Sequence, residues 1–161
     1  MADSDPLAAL VRRVEPLRPD TPVGEAAERI CAAGHGLPVV AADGTLAGFV
    51  GEAQALGAIS PGYLRDLTGS GVFTRDLSAL RRRVVQGSLR PVGEVMLTEP
   101  AFVDTDDSEM HAAARFLHCD QHDLPVVDAA DGRVVGVLRM ADLVSDIVAK
   151  ARARSGSEPT G

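Results

Sequence analysis

Aromatic residues are scarce in this chain of 161 residues. They make up 3% of it, with one tyrosine and no tryptophan. Proteins that hold single-stranded nucleic acid usually stack its bases on aromatic side chains, and the net charge of −7 repels phosphate backbones. The sequence therefore predicts no nucleic-acid partner.

Cysteine and long apolar runs are also scarce. Cys31 and Cys119 form no CxxC pair, so neither a disulfide scaffold nor a zinc knuckle is indicated, and we expect two buried thiols. No run of about 18 apolar residues is present to cross a bilayer. The acidic start over residues 1–5 lacks the basic and apolar regions of a signal peptide. These absences predict a cytoplasmic protein with no membrane partner.

Motifs of enzymatic chemistry are missing as well. The chain has no GxSxG elbow and no GxxxxGK[ST] phosphate loop. The adjacent residues His118 and Cys119 would diverge by about 100° on a helix, so they cannot form a pair of nucleophile and base. We predict no catalytic residue and no enzymatic activity.

A metal site is not predicted either, although histidine and cysteine cluster in one segment. His111 and His118 would lie about 10 Å apart along a helix, which is too far for one ion. His122 follows the end of that helix, because the segment Leu124-Pro125 disfavours helical backbone. We expect His122 and its counterpart His35 to cap a helix or to bond the backbone.

What the chain does contain is an internal repeat. The segment Leu37-Pro38-Val39-Val40 recurs at residues 124–127. The pair Asp43-Gly44 and the single Gly48 recur as Asp131-Gly132 and Gly136, with one inserted residue. Two similar units that bury their sheets against each other are expected, because each is too small to do so alone.

Each copy is predicted to run strand, helix, strand, strand, helix, which is an α+β fold class. Thr21 is placed to cap the first helix, which would begin at Pro22, and Ser108 is placed to cap its counterpart. Apolar residues at helical spacing define the inward faces of these two helices. They are Val23, Ala26, Ala27, Ile30 and Cys31 in the first copy, and Met110, Ala113, Ala114 and Leu117 in the second.

The strands and remaining helices follow from turn signals. An Asp-Gly pair between two apolar runs predicts a hairpin in each copy. We predict hairpin strands at 37–40, 46–50, 124–127 and 133–138, an earlier strand at 101–103, and helices at 52–58 and 141–151. The sequence therefore divides into a first unit over 5–58, a connector over 59–90, a second unit over 91–151 and a disordered tail over 152–161.

The connector has one helical pattern of its own. Leu77, Leu80 and Val84 share one face of a predicted helix over 76–85 that docks through this face and stops at Gly87. Arg81, Arg82 and Arg83 cover the rest of the helix, and a solvated face is the usual reason for such a run.

These repeated segments resemble a tandem pair of CBS domains, the regulatory arrangement often called a Bateman module. The resemblance covers residues 5–150 and includes Val92-Gly93-Glu94-Val95-Met96, which resembles the entry segment of the family. It implies two units related by pseudo-twofold symmetry, a homodimer, and clefts between the two domains that bind adenosine-containing ligands in many members. AMP, ADP, ATP and S-adenosylmethionine are the ligands it suggests.

The resemblance also implies site residues. Family sites carry glycine, two hydrophobic residues, Ser or Thr, two further residues and then an Asp that holds the ribose hydroxyls. The second copy reads Gly136 to Asp142 with Arg139 at the hydroxyl position, and the first copy has Gly51 and Gln54 at the two polar positions. One competent site, at Asp142, is therefore expected. The base would lie against the positions that match Thr98, Ala101, Asp123 and Pro125.

The departures from the family pattern have chemical consequences. Two carboxylate oxygens can accept from two neighbouring ribose hydroxyls, whereas the Gln54 amide offers one acceptor. Arg139 would favour a phosphorylated ligand, or it is a surface arginine paired with a nearby acid. An Asp at a helix start, such as Asp142, also occurs without any ligand.

Two functions fit these features. The first is a non-enzymatic regulatory protein that binds an adenosine-type ligand and signals to a protein partner whose identity the sequence does not give. The alternative is a ligand-free dimerisation and interaction module, which the departures at Gly51, Gln54 and Arg139 favour.

Overall fold

The computed structural model describes residues 7–60 and 77–156, and it has the α+β architecture that the repeat predicts. The chain divides into two compact units. One is Pro16–Glu99, and the other joins Met1–Glu15 to Pro100–Gly161. The boundaries of these two units therefore differ from the boundaries of the two repeats in the sequence.

The unit Pro16–Glu99 consists of a hairpin and three helices in its described part. Its strands β1 and β2 pair antiparallel, and α1 and α2 both pack against α3. The bounds are α1 Val23–Ala33, β1 Leu37–Val40, β2 Leu46–Val50, α2 Glu52–Ile59, α3 Leu77–Ser88 and a 3₁₀ turn Val92–Glu94.

The other unit has a three-stranded sheet in the order β3-β4-β5. Strands β3 and β4 are parallel, and β4 and β5 are antiparallel. The bounds are a 3₁₀ turn Leu7–Ala9, β3 Val103–Asp104, α4 Glu109–Leu117, β4 Asp123–Val127, β5 Val134–Arg139 and α5 Met140–Ser155. Its core contains Leu7, Val103, Ala112, Phe116, Leu124, Val126, Leu138 and Leu143.

The two predicted hairpins are present, and their turns need glycine. Gly44 and Gly132 have φ values of 85° and 71°, a region that side chains with a Cβ rarely occupy. The preceding aspartates stabilise the turns, because Asp43 accepts from Thr45 N and Asp131 accepts from Arg133 N.

The repeated glycines Gly48 and Gly136 lie where a further segment crosses the hairpin. A Cβ at Gly48 would lie 2.7 Å from the carbonyl oxygen of Leu97, and one at Gly136 would collide with that of Arg12. Leu97 pairs with Phe49 and Arg12 pairs with Val137. Each hairpin is therefore covered by the segment that precedes the other repeat in sequence.

The cap prediction is confirmed for Ser108 and wrong for Thr21. The Ser108 hydroxyl accepts from His111 N at 3.1 Å at the start of α4. Helix α1 begins at Val23, and Pro22 occupies its cap position. The Thr21 hydroxyl instead accepts from Arg18 N at 3.1 Å, so it closes the preceding turn.

The predicted inward face of α4 is also wrong, except for Ala113, which packs half-buried against the core. Ala112 and Phe116 are buried, whereas Met110 and Leu117 are 72% and 84% exposed. The helix has apolar residues on two faces, and the face that carries the aromatic ring of Phe116 is the one that packs into the core. In α1, Val23 and Ile30 are buried as predicted, but Cys31 is exposed because it lies about 100° further round the helix.

Helix α3 docks through small residues and not through the predicted leucine face. Leu77 is 77% exposed, whereas Gly87 is buried and lies inside the helix, where a Cβ would collide with the carbonyl oxygen of Ala58. The predicted first residue, Asp76, lies outside the described residues.

The end of the last helix, and with it the start of the predicted disordered tail, also differs from the prediction. Helix α5 continues to Ser155, beyond the predicted end at residue 151, and its last turn carries Arg152 and Arg154, which the helix dipole favours there. Residues 157–161 of the predicted tail lie outside the described residues. Within residues 7–60 and 77–156, no helix has the length and apolar character needed to cross a bilayer.

Candidate functional site

The candidate site is built around the first turn of α5. Strand β5 ends at Arg139, α5 begins at Met140, and Asp142 is its third residue, with a side chain 27% exposed. The partial positive charge of a helix N-terminus stabilises a carboxylate there. Gln54 has the same position in α2, so the repeat places an acid at one helix start and an amide at the other.

Arg12 holds the Asp142 carboxylate with both arms of its guanidinium group. Its Nε donates to Oδ2 at 2.7 Å and its Nη2 donates to Oδ1 at 3.2 Å. The hydrogen bond with Asp142 raises the pKa of Arg12, the negative charge of Asp142 raises it further, and desolvation opposes both. The pair is therefore a two-bond fork, which fixes orientation as well as charge.

Backbone pairing places Arg12 beside this helix start. Arg12 N donates to the Val137 carbonyl at 2.9 Å, and Val137 N donates to the Arg12 carbonyl at 2.9 Å. Since β5 leads directly into α5, the strand that receives Arg12 is the one that delivers Asp142.

A groove of about 480 Å³ opens next to the fork. One wall is the segment 9–12, and the other is a single face of α5 with residues at helical spacing. The α5 residues are Asp142, Ser145, Asp146 and Ala149. The groove thus combines an apolar wall with two carboxylates, one hydroxyl and one guanidinium group, which suits a ligand that has both an apolar part and hydroxyl groups.

The side chain of Gln121 joins two of the predicted site residues. Its Oε1 accepts from Ala101 N at 2.7 Å, and its Nε2 donates to the carbonyl oxygens of Ala101 at 3.4 Å and Asp123 at 3.3 Å. The amide binds the Ala101 backbone, and the observed strand is Val103–Asp104, which starts two residues later and ends one residue later than the predicted strand over 101–103.

Arg139 and Pro125 occupy neighbouring strand positions. Arg139 is opposite Asp123 and Pro125 is opposite Val137 in the register of β4 and β5. Pro125 is buried, and Arg139 is partly buried. The ion pairs among the described residues do not include Arg139.

The structure does not place all predicted site residues in one unit. Ala101, Asp123, Pro125, Arg139 and Asp142 belong to the unit that contains Pro100–Gly161, whereas Gln54 and Thr98 belong to Pro16–Glu99. Gln54 Oε1 accepts from Gly51 N at 2.9 Å, so its amide caps its own helix. Thr98 is exposed.

Sequence reasoning missed Arg12 and Gln121. Arg12 and Asp142 are separated by 130 residues, so no local pattern connects them. Gln121 is a single amide in a short connection, and its role depends on where the Ala101 backbone passes.

The histidines bond the backbone or face solvent. The ring of His118 lies 2.7 Å from the Ala114 carbonyl oxygen at the end of α4, and that of His35 lies 2.8 Å from the Gly36 carbonyl oxygen. His122 is exposed. In the part of the chain that the structure describes, no three His, Cys, Asp or Glu side chains are grouped as metal ligands would be.

Comparison with known proteins identifies the repeat. The family model of the CBS domain matches residues 8–61 and 92–149. The crystal structure of the CBS-pair protein CBSX2 from Arabidopsis thaliana is similar with a TM-score of 0.68 at 23% identity, and the match covers 91% of this chain and 96% of that one.

Further solved structures agree on the fold. CBSX2 in complex with AMP matches with a TM-score of 0.65 at 23% identity, over 91% of this chain and 98% of that one. The CBS-domain containing protein ATU1752 from Agrobacterium tumefaciens matches with a TM-score of 0.63 at 18% identity, over 90% and 98%. None of the curated proteins matches this chain.

Proposed function

The chain belongs to the CBS domain family, and from this premise we propose that it is a non-enzymatic regulatory protein that binds an adenosine-containing ligand at Asp142. The observation that carries the proposal is the partly exposed carboxylate of Asp142 at a helix start beside a groove. Its two oxygens can accept from the two neighbouring hydroxyls of a ribose.

The candidate ligands are AMP, ADP, ATP and S-adenosylmethionine. A structurally similar CBS-pair protein has been solved with AMP, which supports a ligand of this class here. The apolar residues of the segment 9–12 offer a surface for the base or the sugar ring.

Regulation would follow from the contact that the ligand replaces. A ligand shifts a protein between states only by binding them unequally. When the ribose takes Asp142, the link from Asp142 to the segment 9–12 is lost, although the backbone pairing of Arg12 with Val137 remains. A changed position of the Arg12 side chain on this segment is what a protein partner, or the second copy in a homodimer, would detect.

Isothermal titration with these four ligands tests the proposal on wild type and on Asp142→Ala. Hydrogen bonds to a charged group contribute about 1.5–3 kcal/mol, so we expect at least a tenfold weaker affinity in the variant. Asp120→Ala is the matched control, because Asp120 is exposed, and it should bind like wild type. Unchanged affinity in Asp142→Ala would refute the role of this carboxylate.

A specific observation favours a second function, an interaction module without a ligand. The carboxylate of Asp142 and the amide of Gln54 already bind groups of the chain, and Met110 and Leu117 leave an apolar stripe of α4 exposed. A thermal shift assay with a nucleotide panel separates the two functions. A stabilising ligand supports sensing, and no stabilisation by any nucleotide supports the interaction module.

A further inference from the structure

The fork between Arg12 and Asp142 uses the acceptors that a ribose needs. Each carboxylate oxygen of Asp142 receives one guanidinium N–H. Two ribose hydroxyls bound in the same way would require both oxygens. A ribose that uses the acceptor sites on the side of the carboxylate that faces Arg12 has to displace the fork.

Opening the fork leaves a cation at the edge of the groove. The Arg12 side chain is 47% exposed, so its guanidinium group can move without unpacking the core. Its backbone stays paired with Val137, which keeps the released group near the ligand.

The neighbouring acid is not a ready replacement for Asp142. Asp146, one turn further along α5, has its Oδ2 2.7 Å from Lys150 Nζ, and Lys150 also contacts Glu109. The polar side chains of the groove are those of Arg12, Asp142, Ser145 and Asp146. Among them, no second carboxylate is available to Arg12 without competition from Lys150, so an anionic group of the ligand is the better partner.

We propose that Arg12 is an exchange residue, which holds Asp142 until a nucleotide binds and then, when the ribose replaces it there, binds the phosphate of that nucleotide. This inference rests on the proposed function and narrows its ligand class. A guanidinium fork fits a phosphate as it fits a carboxylate. The site therefore selects AMP, ADP or ATP, which compensate for the lost ion pair, over adenosine, which does not.

S-adenosylmethionine is disfavoured by the same exchange. It carries a sulfonium group where a nucleotide carries its first phosphate, so the released Arg12 would face a positive charge. Like charges at short range repel. The change of partner by Arg12 thus gives different affinities to ligands that share the same adenosine group.

Isothermal titration of AMP, adenosine and S-adenosylmethionine into wild type, Arg12→Met and Arg12→Lys tests this role. In wild type we expect AMP to bind at least about tenfold more tightly than adenosine. In Arg12→Met, adenosine should gain about tenfold in affinity because its competitor for Asp142 is gone. AMP loses both the competitor and the phosphate contact, so its affinity should change little and the ratio of AMP to adenosine affinities should fall towards one. Arg12→Lys keeps the charge without the fork. Its ratio of AMP to adenosine affinities should lie between those of wild type and Arg12→Met.

Two matched arginines serve as controls. Arg13→Met removes the exposed neighbouring cation and should leave the ratio of AMP to adenosine affinities unchanged. Arg139→Met removes the other arginine next to this helix start. Loss of the ratio in Arg139→Met but not in Arg12→Met would overturn the assignment to Arg12.

The outcomes also separate this inference from the function on which it rests. If wild type binds adenosine ligands and Arg12→Met keeps the wild-type ratio, the exchange is refuted and the sensing function stands. If neither protein binds any of the three, the sensing function itself is refuted.

Discussion

Single side chains with two-ended chemistry organise the site. The guanidinium group of Arg12 joins the segment before the first repeat to the helix after β5, and the amide of Gln121 joins Ala101 to Asp123. An amide can donate and accept at once, so Gln121 can satisfy both N–H and C=O of a passing backbone. Each of these two side chains links two separate segments of the chain by hydrogen bonds, as backbone hydrogen bonds do between paired strands.

Replacing Gln121 tests this role. Gln121→Ala would leave the partly buried N–H of Ala101 without its acceptor, and we expect a loss of about 1–3 kcal/mol in the free energy of unfolding. Urea denaturation followed by circular dichroism measures the change. Gln86→Ala, at an exposed position of α3, should change stability by less than about 0.5 kcal/mol. Equal stabilities of the two variants would contradict the role.

Prediction from sequence succeeds for residues whose partners are near in the chain. Ser108 caps α4 as predicted because its partner is His111 N. Thr21 has the same local pattern, but the Arg18 N–H competes for its hydroxyl. Arg12 has its partner 130 residues away, so the fold has to be known before the fork can be found.

At the scale of elements, the hairpins depend on glycines that admit a crossing strand. Gly136 in β5 lies against the backbone of Arg12. A Cβ added to Gly136 would lie 2.7 Å from Val11 Cγ1. A glycine within a strand often marks the close approach of another backbone. Gly48 has the same role beneath Leu97, so the repeated glycine of the sequence is a packing requirement.

Gly136→Ala should therefore destabilise the protein and misplace Arg12. We expect a loss of at least about 1–3 kcal/mol, since the added methyl group overlaps with backbone that cannot rotate away. The matched control is Gly156→Ala, where the nearest atom to an added Cβ is 3.6 Å away. Differential scanning calorimetry should show a lower Tm for Gly136→Ala alone. A Tm equal to that of the control would contradict the crossing.

Helices show the limit of periodicity as a guide to packing. The spacing in α4 correctly predicts a helix, but both the face of Met110 and Leu117 and the face of Ala112 and Phe116 are apolar. Only the shape of the core decides between them. In α3 the contact depends on Gly87, and a hydrophobic pattern gives no signal for a contact made by a missing side chain.

At the scale of the whole molecule, the repeat and the compact units differ. Residues 7–15 precede the first repeat but belong to the unit of the second, with Leu7 fully buried in its core. Burial of such a side chain contributes about 1.5–3 kcal/mol. The repeat signal predicts the family and the hairpins. It does not predict which entry segment joins which unit, because the entry segments are short and carry no local signal for their partner hairpin.

The placement of residues 7–15 in the same unit as the second repeat matters for the proposed site, because it brings Arg12 to Asp142. A site formed within one repeat would have an acid at the helix start and no guanidinium group from the segment 9–12. The residues of the proposed site are thus contributed by both ends of the chain, and removal of residues 7–15 would remove one wall of the groove.

A crystal structure of the protein with AMP at saturating concentration tests the central claim most directly. We predict that both ribose hydroxyls lie within about 3 Å of the Asp142 carboxylate oxygens, a hydrogen-bond distance, and that the fork with Arg12 is open. AMP bound with its ribose away from Asp142, while Arg12 still holds the carboxylate, would contradict the account.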